Sequence, residues 1–216
     1  MSFRLRPWAV VVAATLSAGA ACAATFDSVD FFRAVNVDNA DGVSRMLAAG
    51  LDPNQLDPRG QPALLVALQG ESLKVAKVLI DARGIQVDIR NHAGETPLMM
   101  AALKAEVDAA SALVAHGASV KKDGWSPLHY AATGGSAAIV KLLLDKGAVL
   151  EARSPNGSTP LMMAARYGNE EAVDALLAAG ADRTAKNDLG MDASAFAGSA
   201  GREKLAARLK LGVVAR

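Results

Sequence analysis

The amino-acid sequence predicts an all-α solenoid of about six helix-turn-helix units joined by β-hairpin-like fingers. The heptad TPLMMAA occurs twice, at residues 96–102 and 159–165, with starts 63 residues apart. When the chain is aligned with itself, equivalent positions recur about every 33 residues, a period typical of stacked repeat architectures. The composition is 51% hydrophobic but only 4% aromatic. It therefore favours closely packed short helices built from Ala, Leu, Val and Met.

Six aligned positions set the boundaries of the units. They are Val29, Pro62, Thr96, Ser126, Thr159 and Asp192. The spacings between them are 33, 34, 30, 33 and 33 residues. One domain over residues 25–216 is expected, with units near residues 29–61, 62–95, 96–125, 126–158, 159–191 and 192–216. The first and last units are rich in polar and charged residues, which indicates that both are caps, because the ends of a stacked array face solvent.

Each unit begins and ends with residues that favour helix boundaries. Thr or Ser accepts a hydrogen bond from the free amides of a new helix, and Pro follows where no N–H is required, as at Thr159-Pro160. Asp192 suits the same capping role in the last unit. Paired alanines such as Ala131-Ala132 permit close helix packing, and Gly147 follows a second helix, where a left-handed residue ends it. Each unit is therefore predicted to be a helix pair that buries its apolar face against its neighbours.

The stretch SPLHYAA, residues 126–132, resembles the T-P-L-H-x-A-A signature of ankyrin repeats. The resemblance covers about residues 27–211, with three units that match well and three that match loosely. It implies an ankyrin-repeat solenoid that acts as a protein–protein interaction module and not as an enzyme. It also implies that His129 bridges backbone groups of neighbouring repeats, although the matching positions hold Met99 and Met162.

One connection between units is shorter than the others. Residues 118–123 are three residues short of their counterparts, which explains the spacing of 30. We therefore predict that the finger leading into the fourth unit is truncated. The spacing of 34 comes from one extra residue near Arg83-Gly84, and nothing in the sequence explains it.

Residues 1–24 are predicted to be a secretory signal peptide and not part of the solenoid. Two arginines form a short basic start, and a run of 20 uncharged residues follows. The run ends in small residues, and Ala21-Cys22-Ala23 supplies the alternate small side chains that a signal peptidase reads. Cleavage is therefore placed after Ala23 or Ala24, and export to the periplasm is expected.

Two alternatives for the N-terminal segment stay open. An uncleaved membrane anchor is one, because 20 residues are just long enough to span a bilayer, but the Ala, Gly and Ser content makes a poor span. Lipid attachment at Cys22 is the other, and Gly19, where a lipoprotein signal has an aliphatic residue, argues against it. After cleavage no stable membrane insertion is expected.

Cysteine usage and charge exclude some classes of function. Cys22 is the only cysteine, so the exported chain would have no thiol and no disulfide bond. The chain has 23 basic and 22 acidic residues, and removal of the signal peptide leaves 21 and 22. Nucleic-acid-binding proteins usually carry a basic excess, so no nucleic-acid partner is expected.

The sequence contains no familiar catalytic or metal-binding motif. G-x-S-x-G, the P-loop, H-E-x-x-H and G-x-G-x-x-G are all absent. His92, His116 and His129 have no acidic residues at metal-ligand spacing. The pairs Met99-Met100 and Met162-Met163 could serve soft copper, but their place inside a helix favours core packing. We therefore expect no catalytic residues, no metal site and no cofactor.

Function is expected at the positions that ankyrin repeats present outward, namely the finger tips and the exposed face of each first helix. Trp125, Arg166 and Tyr167 belong to residue types enriched at binding hot spots and are predicted to form one exposed patch beside the short finger. The alternative is that Trp125 folds down over the short finger as a local plug. The other predicted contact residues are Arg59, His92, Glu95, Lys104, Lys122, Asn156 and Met191.

The leading hypothesis is a monomeric, non-enzymatic binding module of the periplasm that binds or regulates a protein partner through its concave face. One version is an immunity or inhibitor protein for a toxic periplasmic enzyme, and another is a chaperone-like partner of an exported enzyme. A second hypothesis is an enzyme or small-ligand protein on a repeat scaffold, which would require groups such as His92, Glu95 and Lys122 to converge. A third is an anchored spacer between the membrane and its partners.

Overall fold

A computed structural model describes residues 26–211 and confirms the predicted all-α solenoid. Within this range the chain forms twelve short helices and no β-strand. They are α1 (Ser28–Asn36), α2 (Ala40–Ala48), α3 (Ala63–Gln69), α4 (Leu73–Ile80), α5 (Pro97–Leu103), α6 (Val107–Ala115), α7 (Pro127–Gly134), α8 (Ala137–Asp145), α9 (Pro160–Tyr167), α10 (Glu170–Ala178), α11 (Ala193–Ser199) and α12 (Glu203–Leu211). None of these helices is long and apolar enough to cross a membrane. The predicted signal peptide, residues 1–24, lies outside the described residues.

The helices form two stacked layers. The first helices of the units, α1, α3, α5, α7, α9 and α11, pack on one another in chain order, and α2, α4, α6, α8 and α10 form the second layer. Leu98, Leu128 and Leu161 are at most 1% exposed, and the paired alanines that follow them, such as Ala131-Ala132, are fully buried. The small alanine side chains let neighbouring first helices approach closely, so the core runs continuously through the array.

The predicted helix caps are present. The side-chain oxygens of Thr96, Thr159 and Asp192 each accept the backbone N–H three residues later, at 3.3, 3.4 and 2.8 Å. The first unit differs, because α1 is capped by Asp27 and begins before the aligned position Val29, whose side chain is exposed. No Thr-Pro pair fixes the start of the helix there, and the Asp27 carboxylate supplies the cap at 2.8 Å.

The methionine pairs belong mainly to the core. Met99 and Met162 are 1% exposed and Met100 is 5% exposed, which confirms core packing for three of the four. Met163 is only partly buried. It therefore also contributes apolar surface that solvent can reach.

The finger leading into the fourth unit is short, as predicted. Residues 116–126 join α6 to α7 in eleven residues, whereas residues 146–159 and 179–192 use fourteen for the next two connections. The fingers contain hairpin-like turns, and one isolated antiparallel bridge joins Leu56 to Pro62.

The short finger also lacks the turn that the longer fingers share. In those, the residue five before the helix cap donates its N–H to the carbonyl oxygen four residues later, at 3.1 Å in Asn91–Glu95 and 3.0 Å in Ser154–Ser158. The side chain of the donor residue also accepts a backbone N–H. Lys121 stands at this position in the short finger, and its ammonium group has no acceptor to offer. The local chemistry of the short finger therefore differs from that of its neighbours.

Candidate protein-binding surface

Residues of three consecutive units line a shallow depression of about 200 Å³, here called the concave depression. It lies on the side of the first helices and fingers, which we call the concave face. Its lining residues are Leu103, Trp125, His129, Tyr130, Thr133 and Met163. An apolar cavity of about 150 Å³ holds a molecule the size of benzene. The concave depression is therefore large enough for one apolar side chain of a partner.

Trp125 is half-buried, and not exposed as the sequence analysis expected. Its indole ring meets the imidazole of His129 edge to face, with ring centroids 5.3 Å apart at 77°. This contact removes part of the indole from water and leaves the remainder as one wall of the concave depression. The contact with His129 resembles the alternative prediction of a local plug in that it buries part of the indole. The rest of the indole still lines the concave face.

His129 has the predicted structural role. Its Nδ1 accepts the backbone N–H of Ser126 at 3.2 Å, so Nε2 carries the proton and donates to the carbonyl oxygen of Ser158, in the finger leading into the next unit, at 3.0 Å. Burial lowers the pKa of the imidazole, because the charged form would lose its hydration. In the fifth unit, the sulfur of Met162 accepts the N–H of Thr159 at 3.4 Å in the corresponding place.

Tyr130 is a residue of this surface that the sequence analysis missed. Its hydroxyl donates to Glu95 Oε1 at 2.9 Å, and Asn91 Nδ2 donates to Glu95 Oε2 at 2.8 Å. Burial and the neighbouring Glu95 carboxylate raise the pKa of the Tyr130 hydroxyl. The tyrosine follows the histidine of the signature, at the position where Met163 stands in the fifth unit. The sequence does carry a signal for this residue, because an inward-facing helix position that holds Met in the fifth unit holds Tyr here.

Lys122 supports the short finger. Its Nζ lies 3.2 Å from the carbonyl oxygen of Trp125 and 3.5 Å from that of Asp123. In the longer fingers, the carbonyl equivalent to that of Trp125 accepts a backbone N–H from the turn. The lysine therefore replaces the missing turn donor and holds Trp125 beside the concave depression.

Arg166 and Tyr167 do not line the concave depression with Trp125, so the structure does not gather the three predicted residues around one depression. They end α9, whereas Trp125 precedes the start of α7, and neither lines the concave depression. Both are exposed, and the Arg166 guanidinium lies 5.1 Å from the centre of the Tyr167 ring, in a cation–π contact.

The remaining predicted contact residues are spread along the concave face. His92 lies against Gly60, at a neighbouring finger tip, and Met191 packs partly against the core. Exposed Arg59 pairs with Asp57 at 3.2 Å, and Lys104 pairs with Glu71 at 3.0 Å. The side-chain oxygen of exposed Asn156 accepts the Ser154 hydroxyl at 2.6 Å. These residues do not converge on one point.

No catalytic arrangement is found among His92, Glu95 and Lys122. Glu95 is held by Asn91 and Tyr130, Lys122 is bound to carbonyl oxygens, and His92 is exposed at a finger tip. In residues 26–211, no group of three or more His, Cys, Asp and Glu side chains could hold a metal ion. The three residues are therefore engaged at separate places of the described surface.

Comparisons with known proteins agree with this architecture. A family model described as ankyrin repeats (3 copies) matches residues 31–122 and 119–187. The chain is 34% identical over 122 residues to a putative palmitoyltransferase ZDHHC13 of Danio rerio, covering 54% of this chain and 19% of that protein. It is 32% identical over 126 residues to the B-cell lymphoma 3 protein homolog of Mus musculus, covering 55% and 28%. The chain thus spans under a third of the length of these relatives, and the first match lies in the ankyrin region alone.

Solved structures resemble this one over most of its length. A chain from the complex of the Bd0816 predatory endopeptidase of Bdellovibrio bacteriovorus with the immunity protein Bd3460 has a TM-score of 0.73 and 26% identity, covering 87% of this chain and all of that one. An ankyrin repeat domain of Acinetobacter baumannii gives 0.70 and 25% identity, covering 85% and 99%. The ankyrin repeat domain of Bcl-3 gives 0.65 and 28%, covering 81% and 80%. Together with the signature residues and the stacked helix pairs, these matches show that the chain belongs to the ankyrin repeat family.

Proposed function

We propose that this protein is exported to the periplasm and, as a monomer without a cofactor, binds a protein partner through the concave depression. The observation that carries the proposal is an apolar depression lined by Leu103, Trp125 and Met163. Hydrogen-bonded polar groups lie beside it, at Tyr130 and Glu95. Desolvated aromatic anchors surrounded by satisfied polar groups are the usual pattern of a binding hot spot.

The partner that we propose is an enzyme, which the protein inhibits as an immunity protein would. The resemblance to a chain from an endopeptidase–immunity protein complex supports this version, because the likeness extends over 87% of the present chain. A regulatory partner that activates its enzyme would use the same surface.

The test is co-purification from the periplasm. The full-length protein, with its own N-terminus and a C-terminal tag, is expressed in the native cell, and the bound proteins are identified by mass spectrometry. Met163→Glu places a charge at the floor of the concave depression while leaving the Trp125–His129 contact intact. Tyr167→Glu is the matched control, because it adds the same charge at an exposed end of α9.

The proposal expects a partner that is retained by the wild type and the control but lost by Met163→Glu. An enzyme assay of the partner with and without the protein then distinguishes inhibition from activation. Loss of binding in both variants, or in neither, would contradict the placement of the site. A mature N-terminus at Ala24 or Thr25 is expected, and an intact Met1 would contradict export with cleavage.

A further inference from the structure

The truncated finger leaves open space on both of its sides. Towards the third unit, Arg90, Lys121, Lys122 and Asp123 line a gap of about 340 Å³. Towards the fifth unit, a space of about 510 Å³ reaches from the same finger to Arg153. We call these two spaces together the finger gap. The gap corresponds to the three residues that the other fingers have and this one lacks.

The finger gap carries more positive than negative charge. Its cations are Arg90, Lys121, Lys122 and Arg153, and its acids are Asp123 and Glu151. The ion pairs that the structure describes within residues 26–211 include none of the four cations. The whole chain is nearly neutral, with 23 basic and 22 acidic residues, so the local excess does not follow from composition.

Among residues 26–211, no hydrogen bond or ion pair engages the side chain of Arg90 or Lys121, whereas the charge of Arg153 also acts on the Asp182 carboxylate. Glu151 Oε1 accepts the backbone N–H of Asp182 at 2.8 Å, which directs that carboxylate towards the finger leading into the sixth unit. Arg153 donates to the carbonyl oxygens of Gly157 and Lys186, both at 2.8 Å, so its charge has a fixed place. Arg90 and Lys121 are exposed. Carboxylates of another protein could therefore form ion pairs with these exposed cations.

The finger gap adjoins the concave depression through one short stretch of chain. Lys122 lies in the gap and binds the carbonyl oxygen of Trp125, whose indole lines the depression. A partner segment that placed an apolar side chain against Trp125 would therefore bring its flanking residues to the cations of the gap.

We propose that the finger gap binds a carboxylate-bearing segment of the protein partner, next to an apolar side chain seated in the concave depression. This inference rests on the proposed function and specifies the chemistry of the partner. Charge complementarity carries it: unpaired cations face an opening of sufficient size, and acidic side chains are the protein groups that complete such a surface. Because the contacts are exposed, they set specificity and association rate more than total affinity.

The first test uses a defined probe. A fluorescent peptide with one Leu followed by four Glu residues is titrated with the mature protein, and the peptide with Gln in place of Glu is the comparison. We expect anisotropy to report binding of the Glu peptide that weakens as salt is raised, because exposed charges are screened. Arg90→Gln with Lys121→Gln should weaken it by roughly two- to fivefold for each charge removed.

Two matched variants isolate the gap. Lys74→Gln with Lys77→Gln removes the same charge from the outer helix α4 and should leave peptide binding unchanged. In the finger graft, residues 148–157, from the finger leading into the fifth unit, replace residues 118–124, which fills the gap and retains Trp125. The graft should abolish binding of the Glu peptide while the helical circular dichroism stays unchanged. Equal binding of the Gln peptide, equal loss in the α4 variant, or full competition by inorganic phosphate would overturn the inference.

The second test separates this inference from the proposed function. The captured partner is measured against Arg90→Gln with Lys121→Gln and against Met163→Glu. Loss only with Met163→Glu keeps the proposed function and overturns the acidic segment. Glu-peptide binding at the gap without any captured partner overturns the proposed function and leaves the carboxylate preference standing.

Discussion

The Tyr130 hydroxyl donates to the Glu95 carboxylate at 2.9 Å, across 35 positions of sequence and from the fourth unit to the finger that leads into the third. Glu95 is held from its other side by Asn91, so the tyrosine ring has a fixed place in the wall of the concave depression. The contact thus joins packing between two units to the shape of the candidate site.

Replacement of Tyr130 by Phe should lower the free energy of unfolding by about 1 kcal/mol, because the Glu95 carboxylate loses one partly buried donor. Urea denaturation measures the change. Tyr167→Phe is the control, since that hydroxyl is on an exposed side chain and its removal should have no measurable effect. Equal effects of the two substitutions would contradict the role of the hydrogen bond.

His129 should make stability dependent on pH in the mildly acidic range. Burial holds its folded pKa below the unfolded value of 6.5, so on acidification the unfolded chain binds the proton first. Stability is therefore full above about pH 6.5 and is lost as the pH falls from there towards the lowered folded pKa, by at most about 1.4 kcal/mol per pH unit. His129→Met, which copies Met162 of the fifth unit, should remove this component. Urea denaturation of both proteins across this range tests it, and parallel curves would contradict it.

Arg202 should be the strongest single link between the last unit and the rest. One guanidinium nitrogen donates to the carbonyl oxygens of Ala164, Ala165 and Gly168 at 3.0, 2.9 and 2.8 Å, at the end of α9. Arg202→Ala should destabilise the fold by about 2 kcal/mol, because partly buried carbonyls lose a charged donor. Lys204→Ala, at an exposed position of α12, is the control for helix propensity and charge. Thermal unfolding of the two variants tests whether Arg202 stabilises the fold by this amount.

The turn between the helices of a unit holds a left-handed residue in five of the six units, the exception being Gly168 of the fifth at φ −79°. Ala105 has φ +58° and Gly135, in the next unit, has φ +78°. Ala105→Gly should stabilise the protein by about 0.5 kcal/mol, because an L side chain is strained in that region. Gly135→Ala should destabilise it by about 1 kcal/mol or more, since its Cβ would also lie 2.9 Å from the Asn169 nitrogen. Effects of the same sign would contradict this reading of the turn.

The fold was predictable because its signals are local and repeated. The capping Thr, the following Pro and the paired alanines act within one helix, and the period places each copy. The short finger was predictable from spacing alone, and the structure shortens it from fourteen residues to eleven. Only the start of α1 was misplaced, because the first unit lacks the Thr-Pro pair and uses Asp27.

The candidate site was harder to predict because it depends on contacts between units. The repeat alignment identified Trp125, but its half-burial depends on the ring of His129, and no alignment reports that distance. Arg166 was assigned to the same patch because the alignment records repeat positions and not distances between side chains, and Arg166 does not line the concave depression. Tyr130 was missed because its position is a core position elsewhere, and its hydroxyl finds an acceptor in another unit.

The helices α5 and α9 begin with the same seven letters and the same backbone geometry, with Thr96 at φ −104° and ψ 161° and Thr159 at φ −97° and ψ 163°. An in-frame loss of residues 97–159 would therefore join Thr96 to Pro160 and restore the heptad without a seam. Since each unit contacts only its neighbours, the product would be a four-unit array that keeps both caps but has lost Trp125 and Tyr130. The duplicated heptad is thus a joint at which the array could lose two units and its candidate binding surface together, while the stacking of the remaining units is kept.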